Sequence, residues 1–215
     1  MIDFRSWDTQ VEEQGHLGSC TANAMVGMYE MLMRHGLSQD LALSRLFVYY
    51  NSRRLEESES TDSGAVLSDV IQAVGTYGIC REELWPYQIE KFSTQPTADC
   101  YTDGVTRTLT NQHRLPQLAD MLAALDHDHL VIFGFEVFEN FRSVASPWII
   151  DVPPDNTAAV GAHAMFAVGY DSGRQLILAK NSFGSAWADG GYCWFTFDYV
   201  RAHFVDMWTF DILLT

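Results

Sequence analysis

The chain has 215 residues, 47% of them apolar, 13% aromatic and only 19% charged, enough for one large domain or two small lobes with a sizeable core, and unlike a disordered or fibrous chain. Thirteen Lys and Arg against 28 Asp and Glu give a net charge of −15, the opposite of a nucleic-acid-binding footprint, so nucleic acid and anionic membranes are excluded as expected partners. The longest clean apolar run, Leu130 to Phe135, falls far short of the ~18 residues of a membrane span.

Asp3, Arg5 and Asp8 near the start break any secretory pattern. The expected location is therefore the cytoplasm, with a non-classical export route or a longer precursor as the alternative. Four scattered cysteines, Cys20, Cys80, Cys100 and Cys193, form neither a disulfide framework nor a CxxC metal site. The pairing of Cys80 with Cys100 stays open.

In chain order, helical spacing of Met25, Met28, Tyr29 and Leu32 predicts a first helix over 20–35, stopped by Gly36. A second helix reads through Leu43, Leu46, Phe47 and Tyr50, and a third through Val66, Val70, Ile71 and Val74 before Gly75 and Gly78. Between them, the acidic stretch from Glu56 to Asp62 reads as a solvated loop. A short helix follows over 116–125, with Pro116 in its first turn.

Strands then dominate, at 130–137, 148–152, 163–170, 176–180, 191–197 and 207–213. Asp171 to Gly173 predicts a tight turn between two of them, forming a hairpin with His163 on one strand and Asn181 at the end of the other. A helical half followed by a β half predicts an α+β fold with a cleft between two lobes. The Asp126-His127-Asp128-His129 stretch lies where helix gives way to strand and reads as a solvated turn, with no metal site expected.

The segment Gln14-Gly15-His16-Leu17-Gly18-Ser19-Cys20 carries the chemistry, because it delivers a cysteine to the start of a predicted helix. A free thiol with pKa near 8.5 is only about 3% ionised at neutral pH, and a helix N-terminus together with a protonated histidine favours the thiolate. The Cys20 N–H and the Gln14 amide, six positions upstream, are candidate oxyanion donors. His163 opens its strand among small residues, and Asn181 follows in Lys180-Asn181-Ser182-Phe183-Gly184-Ser185-Ala186-Trp187. There its amide would orient the imidazole while Phe183 and Trp187 shield the hydrogen bond.

These residues, in this order, resemble the papain-like cysteine peptidase family. His163 lies 143 positions after Cys20, within the family's interval of about 130 to 150, and Asn181 lies 161 after it. Gly64, Tyr77-Gly78-Ile79, Trp85-Pro86-Tyr87 and the run from His163 to Tyr170 also follow the family's order, so the resemblance spans nearly the whole chain. It departs where Leu17 replaces the cysteine three positions before the nucleophile, removing the usual nearby disulfide, where Thr21 replaces an aromatic residue, and where Phe183 replaces tryptophan.

The resemblance implies a single papain-like catalytic domain over 1–215, mainly helical over 1–110 and mainly β over 111–215. It implies a cysteine peptidase without cofactor, in which the Cys20 thiolate attacks a carbonyl, Gln14 holds the oxyanion, His163 protonates the leaving amine and Asn181 orients it. Gly64 would pair with an extended peptide, Ala162 would line a specificity pocket and Trp187 would form a platform on the leaving-group side. The expected partners are a peptide or protein substrate and a proteinaceous inhibitor; only 13 residues precede Gln14, so the family's prosegment is not expected. Acyl transfer, amide ligation or deamidation by the same triad, or an idle peptide-binding homologue, are the alternative functions.

Overall fold

The computed structural model describes residues 1–212, so Leu213, the end of the last expected strand, lies outside the described residues. The fold is α+β and divides into two compact units. One holds residues 7–9, 14–112 and 210–212; the other holds 1–6, 10–13 and 113–209.

The first unit is helical. Helix α1 (Cys20–Leu37) runs past Gly36 and ends at Ser38, whose left-handed conformation lets its N–H bond the Arg34 carbonyl. It is buried on more than one face, taking in Ala22, Val26, Met31 and Met33 beside the expected Met25, Met28 and Tyr29, while Leu32 sits at the margin. Helix α2 (Arg45–Arg54) starts later than its apolar pattern suggests, because Ser44 caps it by accepting the Phe47 N–H at 3.1 Å. Leu43, ahead of that cap, donates its N–H to the buried Glu30 carboxylate at 2.8 Å.

Helix α3 (Leu67–Tyr77) packs on α2, buries Leu67, Val70, Ile71 and Val74 and leaves Val66 exposed in front of it. A further helix, α4 (Ala98–Gly104), has no counterpart in the sequence reading. Nor is the acidic stretch between α2 and α3 merely solvated. The Arg53 guanidinium, 1% exposed, donates to the carbonyls of Glu59, Thr61 and Phe92, and Asp62 accepts hydrogen bonds from Gly18 and Tyr49. A buried cation must find acceptors, and here the loop's own backbone supplies them.

The sheet comprises β1 (Ile2–Asp3), β2 (Leu109–Arg114), β3 (Val131–Val137), β4 (Ile149–Ile150), β5 (Gly161–Asp171), β6 (Leu176–Lys180), β7 (Tyr192–Thr196) and β8 (Phe204–Ile212). Their order is β2-β8-β3-β5-β6-β7-β4, with β1 added beside β5. The β3–β5–β6–β7 core is antiparallel, and β4 joins β7 in parallel through only two residues. β3 and β5 lie centrally with both faces largely buried, which explains why both read as apolar runs rather than clean alternation.

Residues 172–175 join β5 to β6 in the expected hairpin, held by the Asp171 carboxylate accepting the N–H groups of Gly173 and Arg174 at 3.0 and 3.1 Å. Helix α5 (Leu118–Asp126) begins two residues after Pro116, behind Gln117 at its cap position. His127 closes it, with Nδ1 2.8 Å from the Ala123 carbonyl oxygen. The short α6 (Glu139–Arg142) and α7 (Phe197–His203) complete the chain. Phe197, expected to end a strand, instead begins α7, because Thr196 caps it by accepting the Tyr199 N–H at 3.2 Å.

Candidate active site

Within the helical unit, Cys20 is the first residue of α1, and Ser19 at the cap position makes no side-chain capping bond. The first turn of α1 contains no acidic residue of its own, so nothing within that turn offsets the positive end of the helix dipole at the cysteine. Ser19 Oγ is engaged elsewhere, 2.6 Å from Tyr87 Oη and 2.9 Å from Asn23 Nδ2. Gln14 is buried, its Nε2 donating to the Leu17 backbone carbonyl at 2.9 Å while the Gln14 backbone carbonyl accepts the Tyr87 hydroxyl at 3.0 Å. The approach loop is thus folded on itself and fastened to Tyr87, over whose ring Arg45 stacks at 4.0 Å. His16, in the same loop, is exposed.

Gly64 belongs to this unit as well. Its N–H donates to Tyr49 Oη at 3.2 Å and its carbonyl accepts the Ser63 hydroxyl at 3.2 Å. The carbonyl oxygen keeps a second lone pair for a further donor. Leu17, in place of the family's cysteine, is 2% exposed and packs as a core residue. None of the four cysteines is in a disulfide, Cys80 and Cys100 included.

Within the β unit, His163 sits near the start of β5, in register with Phe135 of β3, and Asn181 directly follows β6. The hairpin brings them together: His163 Nε2 is 2.7 Å from Asn181 Oδ1, and both residues are buried. A carbonyl oxygen can only accept, so Nε2 carries the proton and Nδ1 is the basic nitrogen of the neutral ring. The Ser182 N–H also donates to Oδ1 at 2.8 Å. Two donors on one oxygen fix the amide, because flipping it would turn an NH2 group against both. Asn181 Nδ2 is buried without a hydrogen-bond partner among the described residues.

Aromatic rings enclose the imidazole. Phe183 lies 4.8 Å from it between centroids, Phe141 5.6 Å and Phe135 5.8 Å. Trp187 meets Phe183 edge-on at 5.8 Å and Phe141 at 5.4 Å, forming the outer wall. Of the two rings expected to cover the bond, Phe183 lies against the imidazole beside Phe141 and Phe135, and Trp187 stacks behind Phe183 and Phe141. Phe141 projects from the four-residue α6, too short to leave a periodic signal in sequence. Burial pushes His163 down from 6.5 to about 4, an effect only partly offset by the Asn181 bond. Ala162, one residue before, is exposed and faces Glu136 of β3 in register.

One unit thus presents a cysteine at an uncapped helix start and the other an imidazole oriented by a buried amide, and comparison with known proteins identifies the lineage. The profile of papain family cysteine proteases matches residues 1–204. The chain belongs to the papain family. It is 34% identical over 201 residues to an uncharacterized peptidase C1-like protein of Acanthamoeba polyphaga mimivirus, covering 87% of this chain and 64% of that protein. It is 26% identical over 208 residues to chymopapain of Carica papaya, covering 89% of this chain and 53% of that protein.

Among solved structures, xylellain, a cysteine protease from Xylella fastidiosa, superposes with a TM-score of 0.90 at 31% identity, covering 99% of this chain and 86% of that one. The chain spans about half to two-thirds of the length of the curated relatives it matches. No described helix of this papain-family chain is long and apolar enough to cross a membrane.

Proposed function

We propose that the chain is a cysteine peptidase that hydrolyses peptide bonds through a thioester intermediate, with Cys20 as nucleophile, His163 as proton carrier and Asn181 as its orienting partner. The observation that carries this reading is the buried 2.7 Å bond from His163 Nε2–H to Asn181 Oδ1, because it leaves Nδ1 as the ring's basic atom in a chain of this family. A buried imidazole with pKa near 4 is neutral unless an anion faces it. The imidazolium expected from the resemblance thus depends on the Cys20 thiolate as its counter-charge.

In the proposed reaction Sγ attacks the peptide carbonyl carbon, and the Cys20 N–H and the Gln14 amide hold the oxygen as it becomes negative. The C–N bond breaks as His163 delivers its proton to the amine. Water then adds to the thioester with the imidazole taking a proton, the C–S bond breaks, and the acid leaves. Gly64 and Ala162 are the proposed substrate contacts, and Trp187 with Phe183 excludes water from the His163–Asn181 bond.

Mass spectrometry of a peptide library tests this. Wild-type protein is expected to produce fragments heavier by one water in total and to be labelled at Cys20 by an epoxysuccinyl inhibitor; Cys20→Ala is expected to do neither. Products carrying an added amine instead of water, or cleavage that survives in Cys20→Ala, would overturn the reading.

A further inference from the structure

Gly18 stands two residues before Cys20, and its N–H donates to both carboxylate oxygens of Asp62, at 3.0 and 3.2 Å. Asp62 also accepts the Tyr49 hydroxyl, and that same hydroxyl oxygen accepts the Gly64 N–H at 3.2 Å. Three separated stretches of chain, the approach loop, α2 and the Gly64 loop, therefore converge on one carboxylate and one phenol. Burial, and then the bond to Asp62, push the Tyr49 hydroxyl up, so it stays protonated and keeps donating. A Cβ on Gly18 would lie 3.0 Å from Asp62 Oδ1 and 3.4 Å from Tyr49 Oη, so glycine here permits the close approach.

Asp62 is itself exposed, and an exposed carboxylate ordinarily gains little from holding one position. What orders it is the buried cation beneath. The Arg53 guanidinium donates to the carbonyls of Glu59 and Thr61 just before Asp62, its Nε donates to the Tyr49 carbonyl at 3.2 Å, and its plane stacks on the Tyr49 ring at 3.8 Å. The loop is thereby fixed to α2, and Asp62 to the approach loop. This connection lies beside Leu17, where the resemblance leads one to expect a cysteine and a cross-link, and where the structure has a packed leucine and no disulfide.

We infer that Asp62, with Tyr49, is a positioning residue that clasps the nucleophile's approach loop to the Gly64 loop by hydrogen bonds where the family's nearby disulfide is missing. The inference rests on the peptidase reading for its consequence in turnover, but not for its consequence at the thiol. Asp62 acts through Gly18 on the placement of Cys20, and Tyr49 acts through Gly64 on the substrate strand.

The test compares Asp62→Ala, Asp62→Asn and Tyr49→Phe in the full chain, with folding checked by circular dichroism. Two readouts are taken: the second-order rate of Cys20 alkylation by iodoacetamide, and kcat and KM for a peptide cleaved by the wild type. Asp62→Ala is expected to slow alkylation and lower kcat by about threefold to tenfold, while Asp62→Asn, which keeps one acceptor oxygen, loses about half to two-thirds of the rate. Tyr49→Phe is expected to raise KM about threefold with alkylation nearly unchanged, a split that general destabilisation would not produce. Should Asp62→Ala not fold, the other two variants carry the measurement.

Wild-type alkylation and turnover in Asp62→Asn together with wild-type KM in Tyr49→Phe would overturn the clasp. A wild type that cleaves no peptide while Asp62 variants still slow alkylation would overturn the peptidase reading and leave the clasp standing.

Discussion

His163 and Asn181, eighteen residues apart, meet as the two ends of one β-hairpin and share a buried 2.7 Å hydrogen bond. The oxygen that accepts from Nε2 also accepts the Ser182 N–H, so the amide that orients the imidazole is held by the backbone that follows it.

Asn181→Ala removes both acceptor functions at once, taking away the oxygen that the His163 Nε2–H and the Ser182 N–H share. Such losses cost about 1–3 kcal/mol each, and kcat/KM for peptide hydrolysis is expected to fall about tenfold to hundredfold. Steady-state kinetics at neutral pH checks this. Because the Asn181 bond raises the imidazole pKa against the effect of burial, its removal also shifts the ring further down, which histidine NMR titration in Cys20→Ala would detect.

Acid sensitivity follows from the same ring. The folded-state value of about 4 lies below the ordinary 6.5, so between them the unfolded chain binds more protons than the folded one. The contribution to stability is complete above 6.5 and is lost as pH falls through about 4, by at most roughly 1.4 kcal/mol per pH unit. Urea unfolding of Cys20→Ala, in which no thiolate compensates the imidazole, is expected to show this slope. Adding His163→Gln is expected to flatten it.

Native thiol labelling is expected to single out one cysteine. Cys20 is partly exposed, whereas Cys80, Cys100 and Cys193 are buried, and burial pushes the Cys80 and Cys193 thiols up, with neighbouring Cys100 adding to the effect at Cys80. A brief exposure to iodoacetamide should add one carbamidomethyl group, at Cys20, and four after denaturation; peptide mapping reads both. Rapid modification of Cys80 or Cys193 in the folded protein would contradict the packing described.

Gly78→Ala is expected to be severely destabilising. Gly78 follows α3 with φ of +67°, and an added Cβ would overlap the Gly104 carbonyl of α4. In the reverse direction, a Cβ on Gly104 would lie 2.7 Å from the Tyr77 carbonyl oxygen. A loss of about 3 kcal/mol or more lowers the melting temperature by roughly 6–12 °C in a chain of this size. Gly161→Ala, where an added Cβ meets nothing within 4 Å, is the control and should melt close to the wild type.

The parts of the fold legible in sequence were those with long, regular patterns or distinctive turn chemistry. α1 shows its apolar spacing, β5 and β6 show apolar runs around a turn led by Asp171, and this hairpin alone suffices to pair His163 with Asn181. The shortest elements escaped: α4 and α6 have too few residues for a period, and β4 retains two of its five expected residues. α7 was hidden because Phe197, Tyr199 and Val200 suit a strand as well as a helix, and only the cap at Thr196 decides between them. At the site, the residues around His163 contributed by distant segments, Phe135 and Phe141, left no local mark. The hydrogen bonds of Asp62 leave no mark in sequence, because a run of acidic residues normally stays solvated and nothing nearby reveals that Arg53 is buried beneath the loop.

The sheet's outer margins bear on how the protein behaves when concentrated. At one margin β4 offers only two residues, laid parallel on β7, and at the other β2 is interrupted by Asn111 in a left-handed conformation. Neither rim presents the long, flat ladder of unpaired amides that recruits a second chain. Edge-to-edge pairing between copies through the described rims of this sheet is therefore disfavoured.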